Sequence, residues 1–383
     1  MFRALCIALF SVLLPMALCA QVGGSRIRND ATMPAGPSPS SDDSSGTSES
    51  STSSTDAPSA PGTAAQQAKS PTQQPSKPSK PKPVSDSDRP PIEGSMVGYI
   101  DNAIVGSEIR IRFDAGFGNN SPDRAEFFYA QCGCDGPGAH GPGPGLATNL
   151  NFQQLYLRGE YAPLKRLSFL VDVPVRWLQP QSFDLKTVPS GEKPFGNQSG
   201  ISDVQAGFKF ALVASQRQYL TFQLIASFAT GDSTRGLGTG HYSVLPSLLY
   251  FQRVTERFSI EAQVGDSHPT SSSGAMAFAG DVLTYGIGPS YELYRGENVR
   301  FAPVIELVGW RVLGGMENND AALIASGYTN PFLNVDGINI VNLKAGFRTT
   351  IGNHNSVYVG FGQALTHDLW YKHILRLEYR YTF

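Results

Sequence analysis

Beyond Met1–Ala20 the chain holds no apolar run long enough to cross a bilayer as a helix, and its mean hydropathy is −0.18. That excludes a helical membrane protein. Neither charge is in marked excess: 30 Lys and Arg stand against 32 Asp and Glu. With no basic surplus to neutralise phosphates, nucleic acid is not expected as a partner. Charged residues are scarce altogether, at 16 % against roughly 25 % in soluble domains. Cysteine is nearly missing: of the four, Cys6 and Cys19 fall in the leader, which leaves Cys132 and Cys134. No H-E-x-x-H or G-x-S-x-G motif occurs, and the histidines are scattered. Without a catalytic constellation we expect no enzyme, no cofactor and no metal centre. Helix breakers, by contrast, are plentiful, with 40 Gly and 27 Pro.

Met1–Ala20 reads as a secretory signal, with Arg3 as its charged start and Ala4–Leu18 as an apolar core too short to span. Cleavage is expected after Ala20. Cys19 offers a lipoprotein alternative, against which stands the bulk of Leu18 directly before it. Residues 21–93 are low-complexity, as in Ser38–Asp56 and Pro71–Pro83. Almost no large apolar side chain is present to offset the entropy of ordering, so a disordered periplasmic tether is expected. Its Pro-Ser-Lys-Pro stretch should be extended and locally stiff. A sharper reading makes the tether an arm that touches peptidoglycan.

From about Ser95 onward, alternation takes over. Phe383, Tyr381, Tyr379, Leu377 and Leu375 share one parity, and Thr382, Arg380, Glu378 and Arg376 share the other. Successive side chains of a strand point to opposite faces, so this ribbon is greasy on one side and charged on the other. The same pattern recurs along the domain, giving about twelve segments of about ten residues, as transmembrane strands show. After the first, third, fifth, seventh and ninth strands come long polar loops at 118–150, 178–200, 230–241, 265–279 and 313–337; the eleventh is followed by a shorter one at 364–369, and the even strands by tight turns. Short turns on one side and long loops on the other are the habit of membrane barrels. Aromatics near strand ends (Tyr161, Trp177, Tyr219, Trp310, Trp370, Tyr371 and Tyr381) suit interface girdles. The expected fold is all-β: a single transmembrane antiparallel up-and-down barrel of about 12 strands over residues 94–383. A secreted β-sandwich would alternate too, but with shorter strands and no loop asymmetry. Residues 242–252 are apolar on both parities. Residues 93–105 fit either a plug in the barrel or an extra strand.

If the greasy parity faces lipid, the other parity lines a lumen. It carries Arg110, Arg112, Asp114, Arg158, Glu160, Asp172, Arg176, Lys209, Glu261, Glu306, Lys344, Arg348, Arg376, Glu378 and Arg380, with Glu108, Asp203 and Arg257 on the same parity. Both signs are present and no single-sign ring stands out, so no strong ion selectivity is expected. These charges can pair across the wall, or form a polar conduit.

Cys132-Gly-Cys134 lies in the first long loop, where it could form a small disulfide or, with His140, an incomplete metal set. Gly236-Leu-Gly-Thr-Gly240 lacks the Lys and the following helix of a phosphate loop and reads as a loop apex. Gly200-Ile-Ser-Asp203, Ala229-Thr-Gly-Asp232, Gly236-Leu-Gly-Thr-Gly240 and the terminal L-R-L-E-Y-R-Y-T-F together resemble the outer-membrane family named for the MetA pathway of phenol degradation. The resemblance covers about residues 100–383. It implies a porin-like outer-membrane barrel that passes small solutes passively, among them hydrophobic or aromatic compounds. The terminal Phe383 resembles the signal by which the barrel-assembly machinery recognises its clients. Expected partners are therefore outer-membrane lipid, that machinery and a small-molecule solute. The alternative is a non-conducting structural or adhesive barrel that binds a partner through its outer loops.

Overall fold

The computed structural model describes residues 95–124, 128–130, 140–270, 279–318 and 332–383. The leader at Met1–Ala20, the tether at 21–93 and the Cys132–Cys134 pair lie outside the described residues.

Twelve strands build one closed wall. They are β1 (Glu108–Asn119), β2 (Leu146–Leu164), β3 (Leu167–Asp184), β4 (Gln205–Ala214), β5 (Gln218–Ser227), β6 (Ser243–Arg253), β7 (Phe258–Pro269), β8 (Val282–Tyr291), β9 (Val299–Val312), β10 (Asn339–Ile351), β11 (Asn355–Ala364) and β12 (His373–Thr382). Each pairs antiparallel with the next. The last pairs with the first, Ile111 opposite Tyr379, so the sheet has no free edge. Closure gives every strand two hydrogen-bonded neighbours, which is what a strand surrounded by a medium without water requires.

The period of two sorts the wall into faces. Ile109 is 51 % exposed and its neighbour Arg110 is 4 % exposed. Ile111, Leu157, Phe169, Val171, Ile287, Ile305, Leu343 and Phe361 are exposed like Ile109, while the charged parity is buried inside the ring. This polarity is the reverse of a soluble barrel. Tight turns gather at one end (165–166, 215–217, 254–257 and 352–354), and long connections gather at the other.

Two sequence expectations need correction, and one left open is decided. Parts of the loops expected at 118–150 and 178–200 are strand, because β2 and β3 run on for 19 and 18 residues. The reason is packing: Leu146, Leu150 and Leu178 are buried there and hold the two strands together beyond the rest of the wall. The girdle reading fails for Tyr219, Trp370 and Tyr371, which are buried, and for Trp310, which packs among buried residues. Tyr161 and Tyr381 do face outward. Residues 95–106 form no strand; they lie inside the ring.

The ambiguous stretch 242–252 is β6, and its ambiguity has a cause. Leu248 faces out, while Leu249 and Phe251 are buried against Ala103 and Val105 of the internal segment. Apolar residues sit on the charged parity where an apolar partner occupies the interior.

Candidate functional site: the barrel interior

The internal segment is anchored where β1 begins. Phe383 donates its backbone N–H to the Ser107 carbonyl, and Ala162 donates to the Ser107 hydroxyl. Ala103 and Val105 lie near the tight-turn end, on Tyr219 and Phe251. Tyr99 and Asp101 reach deepest, beside residues in the middle of their strands such as Glu306, Lys344 and Arg158. Met96 returns toward the tight-turn end, where it meets Glu261 and Arg348, each three positions from its strand end. The segment is thus a loop pushed into the ring from one side.

A buried segment without a strand partner must still satisfy its peptide groups. Here the wall's charges do so. The Glu306 carboxylate accepts from the backbone N–H groups of Gly98 (3.1 Å), Tyr99 (2.8 Å) and Ile100 (2.8 Å), and from the Tyr358 hydroxyl (3.1 Å). Arg348 donates to the carbonyls of Met96 (3.1 Å) and Val97 (2.7 Å). Arg376 donates to the Gly98 carbonyl at 2.6 Å while gripping both oxygens of Asp114 at 2.7 Å. Glu261 accepts from Met96 N–H, and Gln263 accepts from Asp101 N–H. Hydrogen bonds with one charged partner contribute roughly 1.5–3 kcal/mol each, about twice a neutral pair.

Tyr99 is the segment's one large ring at that depth. Lys344 Nζ lies 4.0 Å from its centroid and the Arg376 guanidinium lies 4.1 Å from it, so a cation approaches the ring from each of two residues. At Gly98 the backbone passes so close to Tyr358 that a Cβ would collide with that ring. Only glycine fits there without a shift.

Of the fifteen charged residues expected inside, fourteen are buried and Arg112 is half-buried. Most are tied to one another. Glu378 accepts from Arg348 (2.8 Å) and Arg380 (2.9 Å) and faces Arg110 at 3.8 Å. Arg158 pairs with Asp172 (2.9 Å), and Lys209 pairs with Glu160 (2.8 Å). Arg112 stacks over Tyr156 at 3.7 Å. Two others on that parity differ. Arg257 is exposed in a tight turn, where nothing folds over it. Asp203 serves a loop: its carboxylate accepts from Gly231 N–H and from Thr239 N–H and hydroxyl. That network explains why the Gly200–Asp203, Ala229–Asp232 and Gly236–Gly240 motifs occur together. It sits where the wall skips residues 202–204, between the short strand Gln198–Ile201 and β4, opposite Pro174.

At the long-loop end, part of the first loop folds inward. Arg176 donates to the Phe128 carbonyl at 2.6 Å and stacks on the Phe128 ring. Phe128, Tyr129, Phe152, Trp370 and Tyr371 form one buried cluster with Leu150 and Leu178. Burial pushes the Tyr129 phenol well above its ordinary value and the His241 imidazole below its own, so both are neutral at pH 7. Asp266, His268 and Asp281 bring three ligand-type atoms within 4.8 Å of one another on this rim. His268 and Asp281 already bond to each other at 2.7 Å.

Between these two fillings the interior keeps open space. One cavity of about 220 Å³ is lined by Tyr99, Phe128, Trp310, Lys344 and Tyr371 among others. A second, of about 210 Å³, is more polar and is lined by Asp101, Arg158 and Gln223 among others. Both touch Tyr99, Gln263, Thr284 and Arg376. Sequence reasoning missed Tyr99, Gly98 and Tyr358; the available signal was apolar residues on the charged parity.

No family model matches the chain, so the resemblance to the MetA-pathway family stays an expectation. No curated protein matches either. Among solved structures, the COG4313 outer membrane channel from Pseudomonas putida F1 is 14% identical, with a TM-score of 0.48 over 75% of this chain and 99% of that one. The KdgM porin in complex with disordered oligogalacturonate is 9% identical, TM-score 0.36, over 72% and 99%. The beta domain of the Bordetella autotransporter BrkA is 12% identical, TM-score 0.43, over 73% and 100%. At these values the likeness carries no argument about what the interior does.

Proposed function

We propose that the chain is an outer-membrane channel for passive passage of small solutes, closed at rest by residues 95–106. One observation carries this reading: a ring closed on itself, apolar outside and charged inside, whose interior is filled at one end by a segment that is not part of the wall. An apolar exterior on a closed sheet suits acyl chains. A segment held by side-chain hydrogen bonds can leave without breaking the sheet, which suits a gate. In this reading the tight turns face the periplasm, and both the tether and Phe383 begin and end there. Export by Met1–Ala20 and assembly through Phe383 belong to the same proposal. Hydrophobic or aromatic compounds are the solutes the family resemblance implies.

The test is planar-bilayer recording of the refolded chain beside a variant lacking residues 95–106. The wild type is expected to conduct rarely or in small steps, and the variant in steps several-fold larger. A variant as silent as the wild type would favour a non-conducting barrel.

A further inference from the structure

We infer that the cavity of about 220 Å³ above Tyr99 binds a small organic carboxylate with a flat, apolar body the size of one ring. The inference rests on the channel reading only for the route by which a solute arrives. It stands on a mismatch of charge. Among the described residues, the buried cations of the interior other than two have a carboxylate oxygen within 4.0 Å, including Arg110, Arg158, Lys209, Arg348, Arg376 and Arg380. Arg176 and Lys344 have none, although they are only 7 % and 3 % exposed. Both line the same cavity.

Lys344 donates to the Tyr371 hydroxyl at 2.9 Å. Its cross-strand neighbour Glu306 is occupied by the internal segment and Tyr358 and lies outside ion-pair range. Arg176 donates through Nη1 to the Phe128 carbonyl, and its buried Nε has no acceptor. A buried cation without a counter-ion is costly, and a buried donor without an acceptor adds to the cost. A bound anion relieves both.

The walls give the rest of the ligand. Phe128, Phe152, Tyr156, Trp310 and Tyr371 present rings to the cavity. Rings favour a flat apolar body in stacked or edge-on contact. An engineered cavity of about 150 Å³ is enough to hold benzene, so about 220 Å³ holds one ring and a carboxylate. A neutral ring would leave both cations unpaired. An inorganic anion would leave the rings unmatched. A cation would be repelled.

The test titrates sodium benzoate into the full chain folded in detergent while following tryptophan fluorescence, since Trp310 lines the cavity. Saturable quenching is expected. Benzyl alcohol, benzylammonium and acetate should each bind weaker by about tenfold or more. Lys344→Met and Arg176→Met, checked for heat-modifiable migration on gels, should weaken benzoate similarly, and Lys344→Arg should retain it. If neither methionine variant folds, the ranking of the four ligands on the wild type decides. Absence of saturable benzoate binding overturns the inference. So does benzyl alcohol or acetate binding as tightly as benzoate, or folded methionine variants that bind it unchanged. Conductance in potassium chloride separates the two readings. A conducting protein that ignores benzoate sinks this site and leaves the channel, whereas a barrel that binds benzoate yet stays silent even without residues 95–106 does the reverse.

Discussion

The two ends of the interior are filled in different ways. Toward the tight turns, polar wall side chains hold the backbone of residues 96–101: the charged Glu306, Arg348, Arg376 and Glu261, and the neutral Gln263. Toward the long loops, side chains pack on side chains: Phe128 lies 4.8 Å from Phe152, and Trp310 lies 5.0 Å from Trp370, centroid to centroid. The first filling concentrates its polar contacts on a few ionised groups, with Met96, Val97, Ile100, Ala103 and Val105 packed on the wall beside them. The second is spread over many weak contacts. A plug of the first kind can be released by changing one residue of the wall. A cap of the second kind should give way only piecemeal.

Glu306→Ala should show this most clearly. It removes the acceptor of three backbone N–H groups and one hydroxyl. At roughly 1.5–3 kcal/mol per charged hydrogen bond, the closed state loses several kcal/mol. The time spent conducting should rise by about a hundredfold or more, because each 1.4 kcal/mol is about tenfold. Glu306→Gln, which keeps an acceptor, should fall between it and the wild type. Recordings showing Glu306→Ala closed as tightly as the wild type would mean that packing, and not charge, holds the segment.

Gly98→Leu attacks the same end through shape. A Cβ there meets the Tyr358 ring, and a leucine adds more bulk. Overpacking typically costs about 1–3 kcal/mol, so the rise in open time should be about tenfold and smaller than for Glu306→Ala. Limited proteolysis from the periplasmic side should cut near Met96 faster than in the wild type. An unchanged cleavage rate would place Gly98 outside the gate's energetics.

How legible all this was in the sequence follows from the same contrast. The wall could be read directly, because Arg376, Glu378 and Arg380 alternate with Leu375, Leu377 and Tyr379, and a period of two fixes which face each takes. The charged residues were therefore assigned to the interior by parity alone. Residues 93–105 could not be placed, because the segment has no period; its backbone is satisfied by Glu306 and Arg348, more than two hundred residues away in the chain. Long-range hydrogen bonds from side chain to backbone leave no local pattern. The trace they did leave was indirect. Leu249, Phe251 and Tyr358 broke the charged parity, and each touches the segment. Trp370 and Tyr371 misled the girdle reading for a related reason: position near a strand end fixes depth but not the side of the wall a ring takes.

Asp203→Ala probes the other end and should have the smallest effect. Its carboxylate accepts three hydrogen bonds within the 228–242 loop network. That loop is partly exposed, so water replaces much of what is lost, and about 1–2 kcal/mol of local stability should go. Hydrogen exchange at Gly231 and Thr239 should quicken by about tenfold, and gating should stay as in the wild type because Asp203 makes no contact with residues 95–106 among the described hydrogen bonds. If Asp203→Ala also opened the channel, the two fillings would be one coupled unit. The contrast between a charge-held plug and a packed cap would then fail.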